Sequence, residues 1–367
     1  MQRPIVITGG GTGGHIFPML AIAEQLQKLG ISPDELHYVG SRRGQEKTLL
    51  KGEVQLTLLP GRGIRRSLKP QALLANGGAV LSLLAAVLIA FVKVGIWRPR
   101  AIVSVGGYAS FATSLAGVFW RIPLMSVELD AVPSASHRFL LRHTTLRCTA
   151  FDTSMKNTVT TGVPIRDALE EIDRSSGARA LAKSKQSPVI NASNDVIVVM
   201  TGSLGSKTVN TAVVELAKLW SSRESVTLIH VTGQRDFDEV SKNAPSCSGL
   251  DYRILPFGDM TELWSLCDVA VTRAGAMTVG ELCLLGIPSV LVPLPGAPGD
   301  HQTKNAQQLV DVGGAVMIND SKLNAQILSS SIEEILEKKN TMSTALTSLA
   351  RANAARSIAE HVLKIAR

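Results

Sequence analysis

DVAVTRAGAMTVGELCLLGIPSVLVPLPGAPGDHQTKNA, residues 268–306, is the stretch that decides the fold. The apolar run from Val269 to Thr272 predicts a buried parallel strand, and the small residues after it predict a tight turn. Helical spacing begins at Met277, and a second buried strand is predicted from Ser289 to Pro293. A strand, a turn and a helix in this order aim unpaired helix N–H groups at one point, which suits a pyrophosphate.

The helix in this stretch predicts a nucleotide-sugar site. Its N–H groups and a hydroxyl are available to a diphosphate from Ala276, Met277, Thr278, Val279 and Gly280. Glu281, one turn into the helix, is placed to accept hydrogen bonds from a ribose diol. The alternative is a generic strand-to-helix turn with incidental polar residues, and the length of the motif argues against it.

The motifs RAGAMTVGEL, GIPSVLVPLP and DHQTKNA resemble the donor-site signature of the MurG family. Its members are bacterial UDP-N-acetylglucosamine:undecaprenyl-pyrophosphoryl-MurNAc-pentapeptide N-acetylglucosaminyltransferases of peptidoglycan synthesis. The resemblance implies an α/β protein of the GT-B architecture, two Rossmann-like domains facing a central cleft. It implies an inverting transfer to the 4-hydroxyl of the lipid-linked MurNAc (lipid I, giving lipid II). It also assigns Gln302 to the sugar hydroxyls of the donor.

The length of 367 residues fits two domains, each with its own core. Residues 1–165 are predicted to bind the acceptor and the membrane, and the Ser- and Lys-rich segment 166–195 is predicted to be a linker. Residues 196–340 are predicted to hold the donor, and the helix in 341–367 to cross back to the first domain. The chain begins almost directly with a strand, so we expect no signal peptide and a cytoplasmic location.

The formal net charge of +8 is unevenly distributed, because no acidic residue lies between Val54 and Val127. Segregation of this kind predicts an anionic partner surface. Nucleic acid is disfavoured as that partner, because aromatic residues are few and no nucleic-acid-binding module is recognisable. Nor does a paired-Asp motif or metal-ligand spacing occur, so we expect no metal and no cofactor.

The first glycine loop, Gly9 to Gly14, follows a short apolar strand and precedes His15. It formally contains GxGxxG, but a dinucleotide-binding domain would carry an acid after its second strand, where this chain has Ser41-Arg42-Arg43. We therefore expect Thr12, Gly13 and Gly14 to approach phosphate or sugar oxygens. The resemblance puts His15 near the reaction centre. At a helix start, where the dipole disfavours a proton on imidazole, it is our first choice of general base.

The stretch from Asn76 to Trp97 is apolar enough for a transmembrane helix to be considered. Gly77 and Gly78 at its start, Lys93 within it, and its position between Rossmann-type elements argue instead for a helix lying on the sheet. One alternative is a fully buried helix. Together with the family resemblance, the surrounding basic residues favour peripheral binding at the cytoplasmic face of the membrane, against anionic phospholipid.

Gly106-Gly107-Tyr108 follows a predicted strand and resembles the family's GGYxS motif. By analogy this turn receives the pyrophosphate of the acceptor, although a tight turn would also explain it. Val127-Glu128-Leu129-Asp130 stands where the family reads His-Glu-Gln-Asn. Glu128 is retained and is our second choice of general base, while Asp130 replaces the family's amide at a position that contacts the donor.

Three further positions complete the predicted donor site by resemblance. Arg166 ends a segment similar to the family's TGNPxR and is assigned to a phosphate or to the domain junction. Ser203 lies in a loop similar to GGSxGA, where a hydroxyl suits a diphosphate. Gly258 occupies the branched position of a motif that frames the uracil, so backbone contacts there are kept and side-chain packing is lost.

Two other functions remain open from the residues. A UDP-N-acetylglucosamine epimerase would use the same glycine loops, but the apolar stretch would then have no purpose. A membrane-bound nucleotide-sugar binding protein without turnover is suggested by the altered loop at Glu128 to Asp130.

Overall fold

A computed structural model of the chain describes residues 3–10, 13–44, 46, 55–61, 70–153, 155–202 and 205–366. The chain forms two compact units. The first unit comprises Met1–Arg166 and Asn353–Arg367, and the second comprises Asp167–Ala352. A return to the first domain is predicted for 341–367; of these residues Asn353–Arg367 belong to the first unit, whereas 341–352 belong to the second.

The first unit is built around a parallel sheet. Its described strands are β1 (Ile5–Thr8), β2 (Leu36–Ser41), β3 (Gln55–Leu59), β4 (Ala101–Ser104), β5 (Leu124–Glu128), β6 (Leu146–Thr149) and β7 (Thr158–Thr160). Its described helices are α1 (Gly13–Lys28), α2 (Pro70–Trp97), α3 (Tyr108–Phe119), α4 (Ala135–Leu140) and α13 (Ala354–Ile365), with 3₁₀ turns at Pro33–Glu35 and Leu141–His143.

The described strands of this sheet run in the order β3-β2-β1-β4-β5-β6-β7, and every pair is parallel. Strands β1, β4 and β5 are buried along their whole length, as continuous apolar runs require when helices cover both faces. The strand order reverses between β1 and β4. Ligands of such sheets bind outside the carboxyl ends of the strands at this reversal.

The second unit repeats the architecture. Its described strands are β8 (Asp195–Met200), β9 (Val226–Val231), β10 (Asp251–Leu255), β11 (Val269–Thr272), β12 (Ser289–Leu291) and β13 (Ala315–Met317). Its described helices are α5 (Asp167–Glu170), α6 (Ser176–Ser184), α7 (Lys207–Leu219), α8 (Phe237–Asn243), α9 (Met260–Leu266), α10 (Ala276–Leu285), α11 (His301–Asp311) and α12 (Ala325–Leu346), with 3₁₀ turns at Pro298–Asp300 and Asp320–Lys322.

The strands of the second unit are also parallel, in the order β10-β9-β8-β11-β12-β13. The reversal falls between β8 and β11, so the turn after Thr272 lies at the reversal. Both units are therefore Rossmann-like, and the predicted α/β class with two parallel sheets is confirmed.

The predicted linker, 166–195, is largely folded into the second unit. Helix α6 occupies its middle, and the Arg179 guanidinium pairs with the Asp268 carboxylate at the start of β11. Arg174 donates to the carbonyl oxygens of Trp264 and Cys267, the latter at 2.6 Å. Charged residues of the predicted linker thus contact the chain at the start of β11 in the second sheet.

Helix α2 has two different faces. Ala86, Ala90 and Val94 are at most 3% exposed and belong to the core under the sheet. Large apolar side chains on the opposite face are 47–73% exposed: Val80, Leu81, Leu84, Leu88, Val92 and Ile96. We call these six residues the apolar face. By length and composition, Gly77–Trp97 is the one helix segment among the described residues that could cross a membrane, although one face is committed to the core.

Candidate active site

Two glycine turns meet at the strand reversal of the first unit. Gly9 and Gly10 follow β1, and Gly106 and Gly107 follow β4. A Cβ at Gly107 would lie 2.7 Å from the carbonyl oxygen of Gly10, and the φ of Gly107 is +88°. Only glycine satisfies both conditions, since other residues rarely adopt this conformation and would clash here. The backbone after β4 therefore packs directly against the backbone after β1.

His15 lies beside the second of these turns. It is the third residue of α1 and is half-buried. A Cβ at Gly106 would lie 3.4 Å from both Cδ2 and Nε2 of the His15 ring. The imidazole therefore borders the turn predicted to receive the acceptor. Helix α3 begins directly after this turn, at Tyr108.

Glu128 is in a different environment from His15. Its side chain, at the carboxyl end of β5, is 3% exposed, and Oε1 lies 2.8 Å from Nδ1 of His137 on α4. Nε2 of His137 lies 2.7 Å from the hydroxyl oxygen of Ser104 at the end of β4. We call Ser104, His137 and Glu128 the buried triad. Sequence reasoning missed His137 and Ser104, because neither belongs to a motif.

The remaining predicted residues of the first unit are less closely grouped. Gly13 and Gly14 begin α1, and Asp130 is half-buried two residues beyond β5. The Arg166 guanidinium stacks over the Phe17 ring on α1, at 5.0 Å from its centroid. Thr12 lies outside the described residues.

The predicted helix after Thr272 is α10, and the structure places its start at the strand reversal of the second unit. Its N-cap is Gly275, which has no side chain to cap the helix. The first helical hydrogen bond runs from the Val279 N–H to the Gly275 carbonyl oxygen at 2.9 Å. The amides of Ala276, Met277 and Thr278 precede it and are directed outward at the positive end of the helix dipole.

The structure changes the interpretation of two residues of this helix. Val279 is fully buried and its amide is used within the helix, so it offers a ligand neither its side chain nor its N–H group. Glu281 is 8% exposed, and its Oε2 accepts a hydrogen bond of 2.8 Å from Nε1 of the buried Trp264. Trp264 thus fixes the carboxylate, which a sequence pattern does not reveal.

Arg273 holds together the loops at this edge of the sheet. Its Nη2 donates to the Ser206 hydroxyl oxygen at 2.6 Å, and its Nη1 to the carbonyl oxygens of Val292 and Pro293 at 3.0 and 3.2 Å. Nη1 also pairs with Oδ1 of Asp320 at 2.6 Å. These partners follow β8, β12 and β13, and we call the set the arginine clamp. Arg273 was part of the predicted motif, but no such role was predicted for it.

Helix α11 brings the predicted polar string to the same turn. Nδ2 of Asn305, which is fully buried, donates to the carbonyl oxygen of Ala274 at 3.2 Å. Gln302 lies in the first turn of this helix, and its Oε1 accepts from the Leu294 N–H at 2.9 Å. The side-chain amide of Gln302 is thereby oriented at the end of β12.

The two other donor positions differ in what the structure describes. Gly258 lies between β10 and α9, and a Cβ there would be 2.4 Å from Cδ1 of Leu263. Leu263 therefore fills the space that a branched side chain would take. Ser203 lies outside the described residues; Gly202 and Gly205 have positive φ angles, and the Gly205 N–H donates to the Gly202 carbonyl oxygen at 3.0 Å.

Comparison with known proteins identifies the family. The glycosyltransferase family 28 N-terminal domain matches residues 5–146 and the family 28 C-terminal domain matches residues 196–362. The UDP-N-acetylglucosamine--N-acetylmuramyl-(pentapeptide) pyrophosphoryl-undecaprenol N-acetylglucosamine transferase of Alkalilimnicola ehrlichii is 33% identical over 384 residues and matches along all of both chains. The chain belongs to the MurG family. The transferase of the same name from Marinobacter nauticus is 31% identical, covering 100% of this chain and 98% of its own.

Solved structures agree with this assignment. Acinetobacter baumannii MurG matches with a TM-score of 0.76 and 26% identity, covering 98% of this chain and 99% of its own. The predicted GT-B class is thereby confirmed. The UDP-GlcNAc 2-epimerase of Neisseria meningitidis matches with a TM-score of 0.62 at 15% identity, covering 98% of this chain and 100% of its own, a likeness that shows the fold alone.

Proposed function

We propose that this MurG-family glycosyltransferase moves N-acetylglucosamine from UDP-N-acetylglucosamine to the 4-hydroxyl of undecaprenyl-pyrophosphoryl-MurNAc-pentapeptide, with inversion. Full-length similarity to transferases named for this reaction carries the proposal. The residues at the two strand reversals support it. The first reversal has glycine turns beside His15, and the second has the N-terminus of α10 with Glu281 in the same helix. An epimerase or a non-catalytic binding protein is not favoured by these relatives.

The donor is assigned to the second unit. Its diphosphate would accept hydrogen bonds from the amides of Ala276, Met277 and Thr278, where the helix dipole stabilises negative charge. Glu281, oriented by Trp264, would accept from the ribose, and Gln302 would bind the sugar hydroxyls. Stabilising the leaving diphosphate in this way is a purely electrostatic contribution to the rate.

The acceptor and the proton transfer are assigned to the first unit. The turn Gly106–Gly107 and the N-terminus of α3 would bind the acceptor's pyrophosphate. His15 borders that turn and is half-buried, so a bound hydroxyl can reach it. Glu128 belongs to the buried triad, and its side chain is only 3% exposed. We therefore propose His15 as the general base and give Glu128 an orienting role.

A transfer assay tests this function. Purified protein would be incubated with radiolabelled UDP-N-acetylglucosamine and the lipid-linked MurNAc-pentapeptide, and the products separated by solvent extraction. We expect the label to become lipid-extractable, with UDP released. Free epimer in the aqueous phase would support the epimerase, and bound but unchanged nucleotide sugar would support the binding protein.

We further propose that the apolar face of α2 attaches the chain peripherally to an anionic bilayer. The face is continuous, because from Leu81 to Ile96 its members recur every three or four residues along one side of the helix. The exposed Phe119 packs against Phe91 of α2, and Arg98 and Arg121 are exposed nearby in the chain. Apolar burial at the headgroup boundary combined with basic residues is the usual pattern of interfacial helices.

Vesicle sedimentation tests the attachment. The double variant Leu84→Glu/Leu88→Glu should lose most binding to vesicles rich in anionic phospholipid, whereas Leu219→Glu, at a similarly exposed leucine of the second unit, should keep it. High salt should release the wild type. Retention of the wild type in the pellet under both high salt and alkaline carbonate would instead indicate a spanning helix.

A further inference from the structure

The buried triad joins three elements of the first unit below the acceptor turn. Ser104 ends β4, Glu128 ends β5, and His137 reaches both from α4. The exposed fractions are 1% for Ser104 and about 4% for the other two residues. A carboxylate and an imidazole this deeply buried are costly unless they are paired, so their mutual contacts restrict each to one position.

Helix α4 directs His137 to this position. The helix is capped by Ser134, whose hydroxyl oxygen accepts from the His137 N–H at 3.3 Å. The cap sets where the helix begins and therefore which residue of its first turn faces the strand ends. The two ring nitrogens therefore face different strands, since Nδ1 lies 2.8 Å from Oε1 of Glu128 and Nε2 lies 2.7 Å from the hydroxyl oxygen of Ser104.

The triad is also close to the proposed base. A Cβ at Gly106 would lie 3.4 Å from Nε2 of His15 and 4.0 Å from Cε1 of His137. Both imidazoles therefore approach the same residue, Gly106, which lies two positions beyond Ser104. Gly106 and Gly107 have φ angles of +105° and +88° and carry no side chain to anchor them. Their position depends on what holds the end of β4.

We propose that His137 is a positioning residue for the transferase reaction, holding the ends of β4 and β5 so that the Gly106–Gly107 turn presents the acceptor to His15. The inference rests on the proposed function, since it concerns the acceptor half of that reaction. His137 acts through Ser104 and Glu128 and does not touch the reacting atoms. Its effect is on alignment, where an error of about 1 Å can lower a rate by about 10²-fold.

The experiment compares variants that remove one or both contacts. His137→Ala removes both. His137→Asn places an amide near Nδ1 and keeps a partner for Glu128, whereas His137→Gln places one near Nε2 and keeps a partner for Ser104. Ser104→Ala removes the contact between Ser104 and Nε2 of His137 by changing the partner on β4. His143→Ala, at an exposed histidine six residues along, is the matched control. For each variant, kcat and the KM for the lipid acceptor, UDP affinity and melting temperature would be measured.

We expect His137→Ala to lower kcat/KM for the acceptor by about 10²-fold while UDP affinity stays within about twofold. His137→Asn and His137→Gln should each recover part of the loss, and His143→Ala should match the wild type. If His137→Ala does not fold, the other three variants decide. The inference is overturned if folded His137→Ala, or Ser104→Ala where His137→Ala does not fold, keeps kcat/KM for the acceptor within threefold of the wild type, or if UDP affinity falls in parallel. A wild type that transfers no label contradicts the proposed function itself.

Discussion

The two strand reversals are built on the same topology but are held in opposite ways. In the first unit the turns approach through bare backbone, Gly107 against Gly10, and the nearby side chains are two histidines and a carboxylate. In the second unit the arginine clamp ties the turns together through one guanidinium. In the first unit, turns without side chains leave space beside the imidazole of His15, our proposed base. In the second unit, the arginine clamp holds the turn before α10, whose N-terminus can stabilise negative charge but cannot accept a proton.

Removing the proposed base tests this division most strongly. His15→Ala should lower turnover by about 10²- to 10⁴-fold, the usual contribution of a positioned general base. UDP affinity and melting temperature should change little, because the donor contacts are assigned to the other unit. Near-normal turnover would remove His15 from the mechanism. A joint loss of UDP affinity and stability would make it a structural residue of the glycine loop.

Breaking the clamp should mainly affect the second unit. Arg273→Ala leaves Asp320, which is 15% exposed, without its ion-pair partner, and should lower the free energy of unfolding by about 3 kcal/mol. UDP affinity should fall with it, because the turn before α10 loses its support. Denaturant unfolding and calorimetry would measure the two effects.

Lys338→Ala is the control for that charge change. It breaks an exposed pair with Glu334 on α12 and should cost about 0.5 kcal/mol or less. If Arg273→Ala proves as mild as this control, the loops of the second unit are held by other contacts and the contrast between the units fails.

Glu281 tests whether the second unit reads the nucleoside as well as the diphosphate. Glu281→Ala should weaken UDP binding by about 1–3 kcal/mol, the cost of a lost charge-assisted hydrogen bond. Trp264→Phe keeps the carboxylate but removes the indole N–H that orients it, so a smaller loss is expected. Unchanged UDP affinity in a folded Glu281→Ala protein would contradict the ribose assignment.

His230 sharpens the contrast in proton chemistry with a smaller effect. It is fully buried in the second unit between Tyr252 and Asn210, and burial lowers its pKa to about 3. Between pH 6.5 and 3 the unfolded chain therefore binds a proton that the folded chain does not. Stability from this residue is present above pH 6.5 and should fall on acidification by up to about 1.4 kcal/mol per pH unit.

Urea unfolding at several pH values would measure that slope. His230→Gln, which takes up no proton in this range, should show a shallower dependence whatever its overall stability. Equal slopes in the two proteins would mean that folding does not lower the pKa of His230.

The strand and turn pattern of both units could be predicted because it depends on neighbouring residues. Apolar runs such as Val269–Thr272 and the glycines after them specify buried strands and tight turns locally. The two Rossmann-like domains followed from the same pattern and from the family resemblance, whereas the strand order was seen only in the structure.

Contacts between distant residues could not be predicted in this way. His137 meets Ser104 across 33 positions, and Arg273 meets Ser206 across 67, and neither spacing has a period. The inward orientation of Val279 was missed because the motif was treated as a set of ligand contacts, whereas one side of any such helix must face the core. The helix in the supposed linker was missed because its contacts are charged.

The position of α13 has a consequence for synthesis. This helix packs against α1 with Ala355, Ile358, Ala359 and Val362 buried, yet it follows the whole second unit in the chain. As the ribosome adds residues in order, the second unit is complete before the first receives this helix. The side of α1 that contacts α13 therefore stays exposed to solvent while the second unit, about 185 residues, is synthesised. A chaperone that holds unfinished chains would bind at this exposed side.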